Sequence, residues 1–224
     1  MSEQRVVIIT GGGSGMGLAC AQAFAAEGAA VAIIGRTEER LRAAAQRVGP
    51  ECAWYQTDVS KREQVAATVA AIVARHGHIN VLVNAAGYLV GVGAHTPLDE
   101  AERSFDETLG ANVKGALLMS LAVTPHLVRP GGRIINISSI AAYTGGSRGG
   151  AIDYATAKAG LIGLTHGLAR DLSKEGVTVN AIAPGFIAET GFTGGWSEER
   201  VRQIVAETPV GRPGSADDIA AAVL

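Results

Sequence analysis

The chain contains little cysteine, few aromatic side chains and no excess of positive charge. Its 224 residues include 2 cysteines and only 4% aromatic residues, and the formal net charge is −2. Cys20 and Cys52 cannot form the disulfide framework of a small secreted domain. Without a block of basic residues, a nucleic-acid or acidic-membrane partner is not expected.

The sequence also shows no targeting or membrane segment. Its first residues, 1–5, lack the basic and apolar regions of a signal peptide, and no apolar run is long enough to cross a bilayer. We therefore expect a cytoplasmic protein that does not contact membranes. The five histidines are scattered, and His76 and His78 have no third ligand at suitable spacing, so no metal site is predicted.

Short apolar runs rich in β-branched residues alternate with helical patterns along the chain. Six runs read as buried strands, at residues 6–10, 29–35, 52–57, 81–83, 133–137 and 177–182. Helices are predicted between and after them, at 18–27, 41–48, 61–76, 98–109, 112–127, from 154 onward, 198–207 and 215–224. The alternation predicts an α/β fold, with a doubly wound parallel sheet and helices on both faces, in one domain spanning 1–224.

A glycine-rich turn follows the first predicted strand and opens the first helix. Glycines let the backbone approach a pyrophosphate, and the helix N-terminus offers free N–H groups and the positive end of its dipole. The turn predicts a dinucleotide-binding site that includes Gly11, Gly13, Ser14, Gly15, Met16 and Gly17.

The end of the second strand indicates which dinucleotide is bound. An acidic residue at this place would bind the ribose 2′-hydroxyl of NAD, but the chain has Gly35 and Arg36 instead. A guanidinium can pair with a 2′-phosphate, so NADP is predicted, with NAD possible. The alternative is that Arg36 is only a solvated loop residue.

Tyr154 and Lys158 are four residues apart and so lie on one face of a helix. A nearby ammonium favours phenolate over phenol, so Lys158 is expected to lower the pKa of Tyr154 from its ordinary value near ~10. A tyrosine shifted in this way can exchange a proton near neutral pH.

These motifs, in this order, resemble those of the short-chain dehydrogenase/reductase family over nearly the whole chain. Residues 10–17 resemble its TGxxxGxG turn, and Tyr154 to Lys158 its YxxxK motif. Asp58–Val59, residues 84–87 and Pro184–Gly185 stand where the family has its adenine-side, sheet-supporting and nicotinamide-side motifs. The resemblance implies a Rossmann-type fold.

The resemblance also implies roles for individual residues. Tyr154 would be the catalytic acid or base, Lys158 would hold the nicotinamide ribose, Ser139 would bind the substrate oxygen, and Asn112 would support a proton-relay water. Ser138 competes with Ser139, because Ser139 lies fifteen residues before Tyr154, somewhat more than usual in the family. Further residues implied to contact the cofactor are Asp58, Val59, Asn84, Ala85, Gly87 and Ile187.

Some positions depart from the family pattern. Ser14 stands where NADP-using members often have a second basic residue, Ala85 replaces an asparagine, and Thr190 is displaced by one residue. The chain is also expected to lack the usual last strand. The substrate pocket is predicted from 88–96, 140–153 and 186–200, with 186–196 as a lid.

The sequence thus predicts an NADP(H)-dependent oxidoreductase acting on a ketone or secondary alcohol, similar to 3-oxoacyl-carrier-protein reductases. Family resemblance implies a homotetramer. The alternatives are an NAD-dependent alcohol dehydrogenase of the same family, a non-catalytic NAD(P)-binding regulator, and a structural subunit.

Overall fold

The structure is a computed structural model that describes residues 4–147, 149–188 and 196–224. Its centre is a six-stranded, fully parallel sheet with the strand order β3-β2-β1-β4-β5-β6. The order reverses direction between β1 and β4, which is where doubly wound sheets bind their ligands. The strands are β1 (Val6–Thr10), β2 (Ala30–Gly35), β3 (Cys52–Gln56), β4 (Val81–Asn84), β5 (Arg133–Ile137) and β6 (Thr178–Ile182).

Helices connect the strands and cover both faces of the sheet. The prediction of a doubly wound α/β fold is therefore confirmed. The α-helices are α1 (Gly15–Ala26), α2 (Glu38–Val48), α3 (Arg62–His76), α4 (Leu98–Leu109), α5 (Gly115–Val123), α6 (Ala141–Thr144), α7 (Ile152–Leu172), α8 (Glu198–Glu207) and α9 (Ala216–Val223).

The sequence predicted a single helix over 112–127, and this prediction is wrong in its boundaries. Residues Gly110–Lys114 form a π-helical turn, α5 follows, and Thr124–His126 form a 3₁₀ turn. Pro125 ends the α-helical pattern, because its ring removes a backbone donor and clashes with the preceding turn. The π-helical turn places Asn112 at the junction of α4 and α5.

Alternate residues of the strands form two hydrophobic layers, one on each face of the sheet. Val7 and Ile9 of β1 pack with α1 and α9, whereas Val6 and Ile8 pack with α3, α5 and α7. A strand sends successive side chains to opposite faces, so a strand that is covered on both faces is apolar throughout. The uninterrupted apolar runs in the sequence follow from this arrangement. In the described part of the chain, we find no helix with the length and hydropathy needed to span a membrane.

Candidate active site

The glycine-rich turn holds the end of β1 tightly against β4 and α1. Gly11 donates its N–H to the Ile34 carbonyl at 2.8 Å, and the Thr10 hydroxyl accepts hydrogen bonds from the N–H groups of Ala85 and Ala86. Gly15, Met16 and Gly17 form the first turn of α1. That turn carries no acidic side chain, and Ser14 makes no side-chain capping hydrogen bond. The N–H groups at this helix end are therefore arranged to receive an anion.

Two glycines of the turn serve different purposes, and we expect substitutions to separate them. A Cβ at Gly17 would lie 2.4 Å from the Gly11 carbonyl oxygen, and backbone atoms there cannot move aside. A Cβ at Gly13 would meet nothing closer than 3.6 Å. We expect Gly17→Ala to lower the free energy of unfolding by about 2 kcal/mol or more. Gly13→Ala should fold normally and bind dinucleotide more weakly. Thermal unfolding and cofactor titration of both variants check this, and equal stability of the two would contradict it.

A pocket of about 170 Å³ lies beside this turn at the carboxyl ends of β1, β2, β3 and β4. Two cationic side chains, Arg36 and Arg40, lie in its wall together with Asp58. Its other lining residues are Gly11, Gly13, Ser14, Gly35, Thr37, Leu41, Thr57, Val59, Ala86, Gly87, Tyr88 and Ala111. Predicted cofactor residues from each of these four strand ends, among them Gly11, Arg36, Asp58 and Gly87, thus line one cavity.

The carboxylate of Asp58 is held ionised at this pocket. Its burial opposes ionisation, but two hydrogen bonds from Ser60, at 2.9 and 2.7 Å, and the charges of Arg36 and Lys61 outweigh that cost. The pKa of Asp58 is therefore held below its ordinary value. An ionised, oriented carboxylate beside Val59 can accept a hydrogen bond from an amine such as that of adenine.

Arg36 lines the pocket and packs on Tyr88. Its guanidinium carbon lies 4.5 Å from the centroid of the Tyr88 ring, and its Nη1 donates to the Tyr88 hydroxyl at 3.3 Å. Tyr88 in turn donates to Glu107 at 3.0 Å. These contacts orient the guanidinium, while the Arg36 side chain stays exposed to solvent.

Ser139 and Tyr154 come together at the carboxyl end of β5. A side-chain hydrogen bond from Ser139 favours the phenolate of Tyr154. Ser138, the competing serine, points the other way: it is buried, and its hydroxyl donates to the Lys158 carbonyl at 2.8 Å. Of the two serines, Ser139 is therefore the one that contacts the tyrosine.

Lys158 is buried beneath Tyr154, and the expected effect on the tyrosine pKa is wrong. The Lys158 ammonium lies 5.5 Å from the Tyr154 ring centroid and donates to the Ile137 carbonyl at 2.9 Å. Burial raises the pKa of Tyr154, and the hydrogen bond from Ser139 offsets only part of that rise. Burial also lowers the pKa of Lys158, to about 8.

Asn112 projects from the π-helical turn toward the same place. Its Nδ2 donates to the carbonyls of Tyr88, at 2.8 Å, and Thr108, at 2.9 Å. Its Oδ1 is buried and, within the described residues, accepts no hydrogen bond. A Cβ added at Gly87 would lie 2.2 Å from that oxygen and 3.4 Å from the Lys158 ammonium. A buried, unpartnered acceptor at this position suits a bound polar group.

A family model described as short chain dehydrogenase matches residues 5–201. This chain belongs to the short-chain dehydrogenase family. The resemblance seen in the sequence is confirmed, and the protein is an oxidoreductase that acts on alcohol or keto groups.

Individual relatives agree with the family match. The short-chain reductase protein NovJ of Streptomyces niveus is 38% identical over 100% of this chain and 87% of its own length. A 3-oxoacyl-(acyl-carrier-protein) reductase, FabG of Chlamydia muridarum, is 36% identical over 98% and 88%. The solved structure of a mutant Serratia marcescens short-chain dehydrogenase/reductase superimposes with a TM-score of 0.88, at 33% identity, covering 100% of this chain and 90% of that one.

Family membership implies a nicotinamide dinucleotide, and the dehydrogenase has polar groups that can hold one. The helix end without an acidic residue suits the pyrophosphate, and the pocket beside it, which contains Asp58 and two arginines, suits the adenosine half. The unpartnered Asn112 Oδ1 and the Lys158 ammonium lie farther along the same edge of the sheet. These donors and acceptors therefore fit NAD(P).

Several predicted cofactor residues of the dehydrogenase do not line this pocket, among them Asn84, Ala85 and Ile187. The Asn84 side chain is buried, and its Nδ2 donates to Ser120 at 3.1 Å and to Asn136 at 2.9 Å, which joins β4 to α5 and β5. Ala85 packs against the core through its side chain. Ile187 is buried and bridges to Gly214. Of the predicted lid, Thr190 and Thr193 lie outside the described residues, whereas the rings of Phe186 and Trp196 stack at 5.2 Å.

The sequence did not reveal several residues that the dehydrogenase brings to its site. Arg40 lies on the first turns of α2, and its position four residues after Arg36 was the available signal. Tyr88 directly follows the predicted Gly87. Asp153 immediately precedes Tyr154 and is completely buried, although an acidic residue in a first helical turn is usually solvated.

Proposed function

We propose that the chain is an NADP(H)-dependent ketoreductase in which Tyr154 exchanges the proton. During reduction, the Tyr154 hydroxyl donates its proton to the carbonyl oxygen of the substrate, and during oxidation the phenolate takes it from an alcohol. The contact of Ser139 with Tyr154, above the buried Lys158, is the observation that carries this proposal. One hydroxyl donor and one proton donor can then reach the same substrate oxygen.

The remaining residues of the site act on that oxygen or on the proton. When bound, the nicotinamide supplies or takes up the hydride. Ser139 donates a hydrogen bond to the substrate oxygen and stabilises the negative charge that develops there. Lys158 would hold the nicotinamide ribose through its buried ammonium. Asn112 would hold the water through which Lys158 recovers a proton, using the buried Oδ1 to which no described residue donates a hydrogen bond.

NADP is preferred over NAD because the ribose end of the pocket is cationic. Arg36 and Arg40 both line it, and Gly35 stands where a carboxylate would repel a 2′-phosphate. The stacking of Arg36 on Tyr88 lowers the entropic cost of holding the guanidinium in place. We therefore infer that the 2′-phosphate pairs with Arg36 first and with Arg40 second.

The substrate is a ketone next to an apolar group, and 3-oxoacyl thioesters are the class that we propose. FabG is named as a 3-oxoacyl-(acyl-carrier-protein) reductase. Around the opening between β5 and α7, this chain exposes Ile140, Tyr143 and Ile152, with 49%, 69% and 49% of their surfaces accessible. Exposed apolar side chains beside a catalytic pair suit an acyl chain. We also propose a homotetramer, supported by the exposed Leu117 and Leu121 of α5.

Titration of NADPH and NADH against the purified protein, followed by reduction of acetoacetyl-CoA, tests this function. We expect tighter binding of NADPH and consumption of NADPH only when the ketone is present. Binding of the dinucleotide without turnover of any ketone or secondary alcohol would favour a regulator. Preference for NADH would leave the oxidoreductase intact and refute the role of Arg36.

We expect kcat/KM for reduction to fall as the pH rises through about 8. The pKa of Lys158 is lowered to about 8, so the charged lysine is lost above that pH. The pKa of Tyr154 is raised, so the tyrosine keeps its proton over the same range. Because kcat/KM reports ionisations of the free enzyme, the decrease of kcat/KM at high pH should reflect the ionisation of Lys158.

The arginine variant provides the control for this pH dependence. In Lys158→Arg the guanidinium stays charged, so the residual activity should show no limb near pH 8. Identical profiles for the wild type and Lys158→Arg would contradict the assignment, as would a wild-type rate that stays constant to about pH 10.

A further inference from the structure

Asp153 is a completely buried carboxylate for which the proposed chemistry has no use. It lies in the first turn of α7, one residue before Tyr154, and none of its surface is exposed. A buried carboxylate is costly unless it is hydrogen-bonded on all sides. Its contacts should therefore show which groups stabilise the buried carboxylate.

The Asp153 carboxylate binds the loop that follows β4. Its Oδ2 accepts a hydrogen bond from Gly91 N–H and its Oδ1 from Val92 N–H, both at 3.1 Å. The backbone adds a third link, because Ile152 N–H donates to the Val92 carbonyl at 3.0 Å. Gly91 has a φ of +113°, a conformation that turns two successive N–H groups toward the carboxylate.

Thr108, near the end of α4, completes the set of donors. Its hydroxyl donates to Asp153 Oδ2 at 2.6 Å, and its oxygen accepts from Val90 N–H at 3.3 Å. Its own carbonyl accepts from Asn112 Nδ2 at 2.9 Å. Thr108 is also fully buried. One chain of hydrogen bonds therefore joins the start of α7, the loop at 90–92, the end of α4 and the π-helical turn.

We infer that Asp153 is a positioning residue: with Thr108, it ties the loop at residues 90–92 to the first turn of α7 and so fixes where Tyr154 stands. This inference rests on the proposed role of Tyr154. The tie holds the helix end that carries the tyrosine and, through Thr108, the turn that carries Asn112. Asn112 bonds the backbone carbonyls of Thr108 and Tyr88, and those bonds do not use the Thr108 hydroxyl or the Asp153 carboxylate. Loss of the tie should therefore affect Tyr154 more than dinucleotide binding.

The matched variants are Asp153→Asn, Thr108→Val and Thr108→Ser. Asp153→Asn keeps the shape but loses the charge and places an NH₂ group among donors. Thr108→Val keeps the shape of the Thr108 side chain and leaves the Asp153 charge in place, but it removes the Thr108 hydroxyl. Thr108→Ser keeps a hydroxyl at that position. Asp171→Asn, at the exposed far end of α7, controls for a charge change on the same helix.

Two readouts are needed, and one of them requires no substrate. In steady-state reduction of acetoacetyl-CoA, we expect Asp153→Asn and Thr108→Val to lower kcat by about tenfold to a hundredfold with the NADPH Kd little changed. Thr108→Ser should keep most of the activity. The second readout is a spectroscopic titration of tyrosine, in which the signal of the matching protein with Tyr154→Phe is subtracted to isolate Tyr154. In Asp153→Asn and Thr108→Val, the Tyr154 midpoint should fall toward the ordinary ~10 as water reaches the ring.

The outcomes separate this inference from the proposed function. If the Tyr154 titration midpoint shifts in both variants but the wild type reduces no ketone, the positioning role is supported and the proposed function is refuted. A shift in Asp153→Asn alone, with Thr108→Val equal to the wild type, shows an effect of charge and overturns the positioning role. Unchanged kcat and midpoint in both variants also overturn it. If Asp153→Asn does not fold, Thr108→Val and Thr108→Ser decide the question.

Discussion

Tyr154→Phe should lower kcat for reduction by about a thousandfold while the NADPH Kd and the thermal unfolding temperature stay close to those of the wild type. The substitution removes one oxygen, the one that we propose donates the proton, and proton transfer by a positioned group contributes about a hundredfold to ten-thousandfold. The ring remains to pack over the Lys158 ammonium, which lies 5.5 Å from its centroid. The loss should therefore appear in turnover and leave folding and cofactor binding intact.

The control is Tyr55→Phe, which removes the same oxygen from the strand β3 at the edge of the sheet. It should turn over like the wild type. If Tyr154→Phe keeps more than about a tenth of the wild-type kcat, the tyrosine is not the proton donor. Ser139→Ala is a useful companion, because it removes a hydrogen bond and not the transferred proton, and its loss of activity should be smaller.

Arg36→Ala should weaken NADPH binding by about thirtyfold and leave NADH binding nearly unchanged. A charge-assisted hydrogen bond contributes about 2 kcal/mol, which corresponds to that factor in Kd. The guanidinium lines the ribose end of the pocket and is fixed there by its stacking on Tyr88 at 4.5 Å. Because NADH lacks the 2′-phosphate, it loses no ionic contact when Arg36 is removed.

Arg42 offers a matched control on the same side of the molecule. It pairs with Glu38 at 2.7 Å, packs near Trp54, and does not line the pocket. Arg42→Ala should bind both dinucleotides like the wild type. The NADPH affinity of Arg40→Ala should lie between those of Arg36→Ala and Arg42→Ala. Equal losses of NADPH and NADH affinity in Arg36→Ala would mean that the arginine shapes the pocket without binding the 2′-phosphate.

The sequence predicted the sheet, the cofactor turn and the pairing of Tyr154 with Lys158 because each depends on local signals. Strands covered on both faces are apolar throughout, a glycine turn between strand and helix has few other uses, and a spacing of four residues fixes a helix face. The sequence also predicted Ser139 for the site, and in the structure its side chain hydrogen-bonds Tyr154 despite the long separation along the chain.

Other features depend on packing that no local pattern reports. The direction of the Tyr154 pKa shift follows from burial of the ring, which outweighs the hydrogen bond from Ser139. The π-helical turn at Asn112 differs from an α-helix by a single residue in its hydrogen-bond register. The burial of Asp153 depends on a loop some sixty residues earlier in the chain, through Gly91 and Val92.

The measurement that tests the ketoreductase proposal most directly is the ratio of alcohol formed to NADPH consumed. Purified protein, NADPH and acetoacetyl-CoA are mixed, the loss of NADPH absorbance is followed, and the 3-hydroxyacyl product is quantified by chromatography. We predict one alcohol per NADPH in the wild type and neither change in Tyr154→Phe. Consumption of NADPH without alcohol, or equal alcohol formation by Tyr154→Phe, would contradict the proposal.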